Sequence, residues 1–110
     1  MTAIRISGKD IAADVRAKVA AVVAGLPEKP SLAVILVGED PASEVYVRGK
    51  LKDTEEAGMI SVHHRLPATA SQTEIEDLIA SLNGDDSVDG ILLQLPLPKG
   101  LDADAAIERI

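Results

Sequence analysis

Ser43, Tyr46 and Lys50 follow one another at i, i+3 and i+7. On a helix that spacing projects a hydroxyl, an aromatic ring and an amine from one face, near the helix's N-terminal half. Tyr46 is the sole aromatic residue of the chain, which has no Phe and no Trp. A flat ring beside an amine suits a planar ligand that needs stacking and one proton transfer. The plainer arrangement has Tyr46 packed partly into the core and Lys50 solvated, and spacing alone leaves both open. Gln94 is a further candidate, because it interrupts an aliphatic run where an unpartnered carboxamide would cost about 1–3 kcal/mol. It can accept from the Lys50 amine while donating to a ligand, or it can satisfy a loop backbone. Leu95, Pro96, Leu97 and Pro98 behind it read as a rigid wall.

Other titratable residues carry less. His63 and His64 are adjacent on an expected strand, so they point to opposite faces, cannot easily share a metal, and read as partly exposed. Asp85, Asp86 and Asp89 gather near a turn whose solvation accounts for them. No Gly-x-Gly-x-x-Gly or phosphate-binding loop occurs, so no dinucleotide site and no metal site are expected in this chain.

The elements that must position these side chains follow from periodicity. Ala3 to Ser7 alternates weakly and suggests a short strand, and Ile11, Val15, Val19, Val22, Val23 and Leu26 recur at helical spacing. Pro27 to Pro30 breaks that helix. Leu32 to Val37 is a continuous aliphatic run, the pattern of a strand buried on both faces of a parallel sheet. Gly38 closes it, Asp40 can cap a second helix with Pro41 at its first position, and Gly58 ends that helix. Met59 to Leu66 predicts another strand; Ser71 with Glu74 forms a capping box ahead of the stripe Ile75, Leu78, Ile79 and Leu82. Asn83 and Gly84 end that helix, Val88 to Leu95 predicts a second buried strand, and Asp102 begins a further helix. Strands alternating with helices imply an α/β fold, a mostly parallel sheet with helices on both faces in three layers. Ligands bind such sheets beyond the carboxyl ends of the strands, which selects the Gly38–Ser43 turn and the Gln94–Pro98 exit as two sides of one crevice.

The whole chain has 110 residues, 46% hydrophobic and 26% charged, consistent with one domain and an aliphatic core. A chain of this size buries roughly 60–70% of its unfolded surface and requires no staple. Cysteine is absent, which excludes a disulfide framework, a thiolate nucleophile and Cys-based zinc sites. With 11 Lys+Arg against 18 Asp+Glu the formal charge is −7, the wrong sign for a nucleic-acid backbone or an anionic membrane. No apolar run approaches the roughly 20 residues a membrane span needs, and the charged start is unlike a signal peptide. The chain therefore reads as cytoplasmic by default.

The segment PSLAVILVGEDPASEVYVRGK, Pro30 to Lys50, together with DGILLQLPLPKGLD, Asp89 to Asp102, resembles the bifunctional methylenetetrahydrofolate dehydrogenase/cyclohydrolase family. Both blocks match in order and spacing, and the similarity covers essentially the whole chain as that family's N-terminal catalytic domain, the first domain of a two-domain enzyme. The resemblance implies oxidation of 5,10-methylenetetrahydrofolate with NADP, or NAD in some members, and hydrolysis of the methenyl product to 10-formyltetrahydrofolate. It implies a multifunctional oxidoreductase and hydrolase of one-carbon metabolism serving purine biosynthesis, homodimeric when full length, with tetrahydrofolate derivatives as partners.

By the same resemblance, Tyr46 stacks on the folate, Lys50 is the lysine of the Tyr-x-x-x-Lys pattern, Gln94 positions Lys50, and Ser43 is the cleft serine that organises water or substrate. Leu95, Pro96 and Pro98 would line the substrate. The chain departs from the pattern at its end: Ile110 stops short of the family's Asp-Val-Asp-Gly segment, which supplies a folate-binding aspartate, and of the dinucleotide domain that binds NADP. The expectation is a fragment, or a domain expressed alone, without dehydrogenase activity of its own. The competing expectation is a non-catalytic folate-binding or interaction module left by loss of the second domain. A phosphate-sensing domain of flavodoxin type is a third, but the acidic cluster it needs at a strand end is lacking.

Overall fold

The computed structural model describes residues 2–110. Three parallel strands form its sheet: β1 (Ser31–Val37), β2 (Ile60–Leu66) and β3 (Gly90–Leu93), in the order β2-β1-β3. The helices are α1 (Gly8–Ala24), α2 (Pro41–Glu56), α3 (Gln72–Asn83) and α4 (Ala103–Ile107). The central β1 is buried at every residue but Leu32, as its unbroken aliphatic run requires. Its residues divide by pleat. Ala33, Ile35 and Val37 face Ile75, Ile79 and Leu82 of α3 and Ala106 of α4, with Leu93 beside them. Val34 and Leu36 face Val47 of α2 on the other side. Helices therefore cover both faces, and the expected three-layer α/β arrangement is present.

The helix starts follow the sequence signals. Asp40 caps α2 by accepting from Ala42 N–H at 2.9 Å, with Pro41 opening the helix. Ser71 caps α3 by accepting from Glu74 N–H at 3.1 Å, and Asp102 caps α4 by accepting from Ala105 N–H at 3.0 Å. Each cap satisfies a backbone donor that the first turn leaves free.

Two expected strands are corrected. Ala3–Ser7 forms no strand: Ile4 and Ile6 are 90% and 79% exposed, and Ser7 instead caps α1 by accepting from Asp10 N–H at 3.3 Å. Alternation without a neighbouring strand gives a segment nothing to pair with. β3 is shorter than Val88–Leu95. At its start Asp89 Oδ2 accepts from Ser31 N–H at 2.9 Å, so a side chain replaces a ladder bond, and beyond Leu93 the chain turns toward Pro96. Gln94 therefore stands just past the strand rather than inside it. Helix α1 forms as its periodicity implies, yet only Val23 of its apolar stripe is buried. Among the described residues no helix is long and apolar enough to cross a membrane.

The loops after the three strands converge at Gly38. Its N–H donates to the Leu66 carbonyl at 2.9 Å, and a Cβ placed on it would stand 3.6 Å from both Ala68 Cβ and Pro98 Cγ. Those distances are ordinary contacts; the backbone, at φ +88°, is what demands glycine. Gly49, in the middle of α2, has open space where a Cβ would stand. Gly38→Ala should lower stability by about 1–2 kcal/mol, whereas Gly49→Ala should raise it by about 0.5–1 kcal/mol. Urea unfolding midpoints measure both, and equal midpoints for the two variants would contradict this account of the turn.

Candidate active site

Lys50 and Gln94 meet at the carboxyl end of β3. Lys50 Nζ donates to Gln94 Oε1 at 2.6 Å, joining the middle of α2 to the first residue after the strand. Gln94 is only 9% exposed, and both ends of its carboxamide are engaged: Gln94 Nε2 donates to the Leu95 carbonyl at 2.9 Å. That carbonyl dictates the orientation of the amide. It can only accept, so it draws the NH2 group and leaves the oxygen facing the lysine. The two expectations for Gln94 are thus combined, since the amide satisfies a loop backbone and holds Lys50, with the loop carbonyl in the place assigned to a ligand.

The backbone on either side is fixed as well. Gln94 N–H donates to the Ile35 carbonyl at 2.9 Å, which anchors the residue to the central strand. Thr54 Oγ1 donates to the Lys50 carbonyl at 2.6 Å. Lys50 Nζ carries three donors as an ammonium, one of them directed to Gln94, so the others remain for a ligand. Among the described residues no buried side-chain polar atom lacks a partner.

Ser43 and Tyr46 occupy the same helix but differ in exposure. Ser43 is buried at 2% and its Oγ donates to the Leu95 carbonyl at 3.4 Å, so its hydroxyl braces the wall from beneath. Tyr46 is 65% exposed, one turn before Lys50. The plainer arrangement, with Tyr46 packed into the core, is not what forms. A ring that large left in water on a chain with no other aromatic is available for stacking. Leu95 is 43% exposed, Pro98 meets the Gly38 turn, and the Leu95–Pro96 peptide is cis. The crevice expected from the parallel sheet is therefore assembled from the Gly38–Ser43 turn, α2 and the exit of β3.

The remaining candidates stay apart. Asp85 Oδ1 accepts from the N–H and hydroxyl of Ser87 at 2.9 and 2.6 Å, bonds that hold its carboxyl below the usual carboxylate range. Asp89 is spent on Ser31. Among the described residues no group of three metal-ligating side chains converges. A cavity of about 700 Å³ opens at the opposite, amino end of the strands, lined by Glu28, Lys29, Ile60 and Asp89 among others. Its lining brings carboxylates and the Ser87 hydroxyl together but no aromatic ring, and Asp89 among them is already bonded to Ser31. Sequence reasoning missed one arrangement outright. The Gln72 side chain reaches across 30 positions to the backbone of Asp102, and a glutamine at the start of a helix gives no signal of such a partner.

The family model for the tetrahydrofolate dehydrogenase/cyclohydrolase catalytic domain matches residues 6–110. The bifunctional protein FolD of Hyphomonas neptunium is 71% identical over 109 residues, covering 99% of this chain and 37% of the relative. Among solved structures, the bifunctional methylenetetrahydrofolate dehydrogenase/cyclohydrolase of Campylobacter jejuni superposes with a TM-score of 0.88 at 40% identity, over 94% of this chain and 38% of that one. The Trypanosoma brucei enzyme, complexed with NADP cofactor and inhibitor, gives 0.90 at 30% identity, over 100% of this chain and 39% of that one. The chain thus spans less than two fifths of the length of these relatives.

His63 and His64 lie on β2 as expected, on opposite faces. His63 is level with Val34 and Arg65 with Leu36, on the α2 side of the sheet. Arg65 pairs with Glu44 of α2 at 2.7 Å. Burial pushes the His63 imidazole below its ordinary value, and the charges of Arg65 and His64 add to that, against the opposing pull of Glu44. The folded chain therefore binds this proton less tightly than the unfolded chain does. The cost is absent above pH 6.5 and grows as acidification passes through that value. Arg65→Gln removes a repelling charge and frees Glu44, so the His63 titration followed by imidazole NMR should move to higher pH. An unchanged or lower value would contradict this arrangement.

Proposed function

Because the chain belongs to the tetrahydrofolate dehydrogenase/cyclohydrolase family, we propose that it forms the folate-binding catalytic side of a bifunctional enzyme. That enzyme oxidises 5,10-methylenetetrahydrofolate to the methenyl compound and hydrolyses it to 10-formyltetrahydrofolate. The observation that carries this reading is the 2.6 Å hydrogen bond from Lys50 to Gln94 at the carboxyl edge of a parallel sheet. There an amine is held at a fixed place beside an exposed ring.

In this reading Tyr46 stacks on the flat ring system of the folate and fixes the one-carbon unit within reach of Lys50. During methenyl hydrolysis the Lys50 amine holds and moves the proton as water adds to the methenyl carbon and the ring opens. Gln94 accepts from Lys50 and keeps Nζ directed into the crevice. Ser43 supports Gln94 through the Leu95 carbonyl. Leu95, Pro96 and Pro98 form the wall against which the substrate lies, and their apolar surfaces limit the access of bulk water.

NADP is the nicotinamide cofactor proposed for the dehydrogenase step, with NAD as the variant, and when bound it accepts the hydride. The residues of this chain do not fit a dinucleotide. The turn that opens α2 carries Glu39 and Asp40, and Asp40 already occupies the free N–H of Ala42, where a phosphate would need donors and no carboxylate. We propose that the cofactor is held by the length the relatives have beyond the part this chain matches, and that the whole enzyme is a cytoplasmic homodimer with a role in purine biosynthesis. The supports for these are family membership and, for the cofactor, the NADP complex of the Trypanosoma relative.

Two variants test the roles in the chain extended through the rest of the family's length. Lys50→Met should lower methenyl hydrolysis by ~10²- to 10⁴-fold while the circular dichroism spectrum is preserved; undiminished hydrolysis would remove Lys50 from the mechanism. Tyr46→Ala should weaken folate binding by roughly 0.5–1.5 kcal/mol beyond the loss of buried area, and Tyr46→Phe should weaken it less. Equal losses in calorimetry would transfer the role from the ring to the hydroxyl.

A further inference from the structure

The crevice wall Leu95–Leu101 hangs between two fixed ends. At the near end Gln94 is bonded to β1, and Ser43 reaches the Leu95 carbonyl. At the far end one side chain meets both backbone groups of Asp102, whose carbonyl also accepts from Ala106 N–H at 3.2 Å at the start of α4. Gln72 Nε2 donates to the Asp102 carbonyl at 3.0 Å, and Asp102 N–H donates to Gln72 Oε1 at 2.9 Å. Between these ends, among the described residues, no hydrogen bond ties residues 96–101 to another element; Leu101 N–H to the Pro98 carbonyl at 3.4 Å is internal to the wall. Leu97 and Leu101 pack on the core, but apolar packing is non-directional and sets no register.

The residue type at position 72 fits this role better than it fits the helix. The first turn of α3 favours a carboxylate, because its N–H groups are free and the helix dipole is positive there. A carboxylate can only accept. A carboxamide presents a donor and an acceptor side by side, the complement of one residue's N–H and C=O. Asp102 in turn caps α4 by accepting from Ala105 N–H at 3.0 Å, so the same clamp fixes the end of the wall and the start of α4.

We propose that Gln72 is a positioning residue for the folate-binding wall: by holding the Asp102 backbone it sets where Leu95, Pro96 and Pro98 stand relative to Lys50, and thereby the affinity for a reduced folate. The inference rests on the functional reading above. Gln72 touches no reacting atom and acts only through the wall.

Titration calorimetry with tetrahydrofolate and amide hydrogen exchange, both on the chain extended through the rest of the family's length, test it with Gln72→Ala and Ser71→Ala. Ser71→Ala removes the α3 cap and lowers stability without touching Asp102. Gln72→Ala should weaken tetrahydrofolate binding about three- to tenfold and speed exchange at the Asp102 amide, while Ser71→Ala leaves the affinity at the parent value. Equal affinity for the parent and Gln72→Ala overturns the inference alone. A loss in Ser71→Ala as large as that in Gln72→Ala also overturns it, by showing that only general stability of α3 matters. A parent chain that binds no tetrahydrofolate overturns the functional reading and the inference together.

Discussion

A carboxamide that is almost fully buried has to find partners for both of its ends, and the site depends on how Gln94 meets that demand. Its NH2 group goes to the Leu95 carbonyl and its oxygen to Lys50. Leaving either end bare would cost about 1–3 kcal/mol, a large share of the stability of a small domain. The placement of the Lys50 amine is therefore settled by folding, before any ligand arrives. Catalysis gains from a group that is already in place, because the entropy of orienting it is lost once, in folding, and not again in every turnover.

The sheet brings the two partners together. β1 lies between β2 and β3, and α2 packs on its Val34 and Leu36 through Val47. The flank of α2 that carries Tyr46 and Lys50 then borders the exit of β3. The loops after all three strands close on one another around Gly38, where a residue with φ near +88° lets the chain leave β1 and start α2 beside Pro98. A single backbone conformation thus joins the turn before the helix to the wall after β3. The other end of the sheet holds a cavity of about 700 Å³, but it has no aromatic ring, and Asp89 in its lining is engaged by Ser31.

Much of this was legible in the residues. The run Leu32–Val37 could only be a strand buried on both faces, and Asp40-Pro41 and Ser71 marked helix starts that form as read. Gln94 stood out because a polar group in an aliphatic run needs a reason. What stayed hidden were backbone partners and long-range pairings. The Leu95 carbonyl orients Gln94 but is common to every residue type, and Gln72 finds Asp102 only because α3 and α4 pack together. Ala3–Ser7 misled because alternation is a local pattern and a strand is a pairing. The stripe on α1 was correctly helical, yet periodicity does not disclose that most of it stays exposed.

The central claim is that the edge built from α2 and the exit of β3 is where a folate binds. Amide chemical shifts of the chain extended through the rest of the family's length, followed while tetrahydrofolate is added, test it most directly. The account predicts saturating changes concentrated at Ser43–Lys50 and Gln94–Pro98. Changes confined to the cavity beside Glu28 and Asp89, or no change at all, would contradict it.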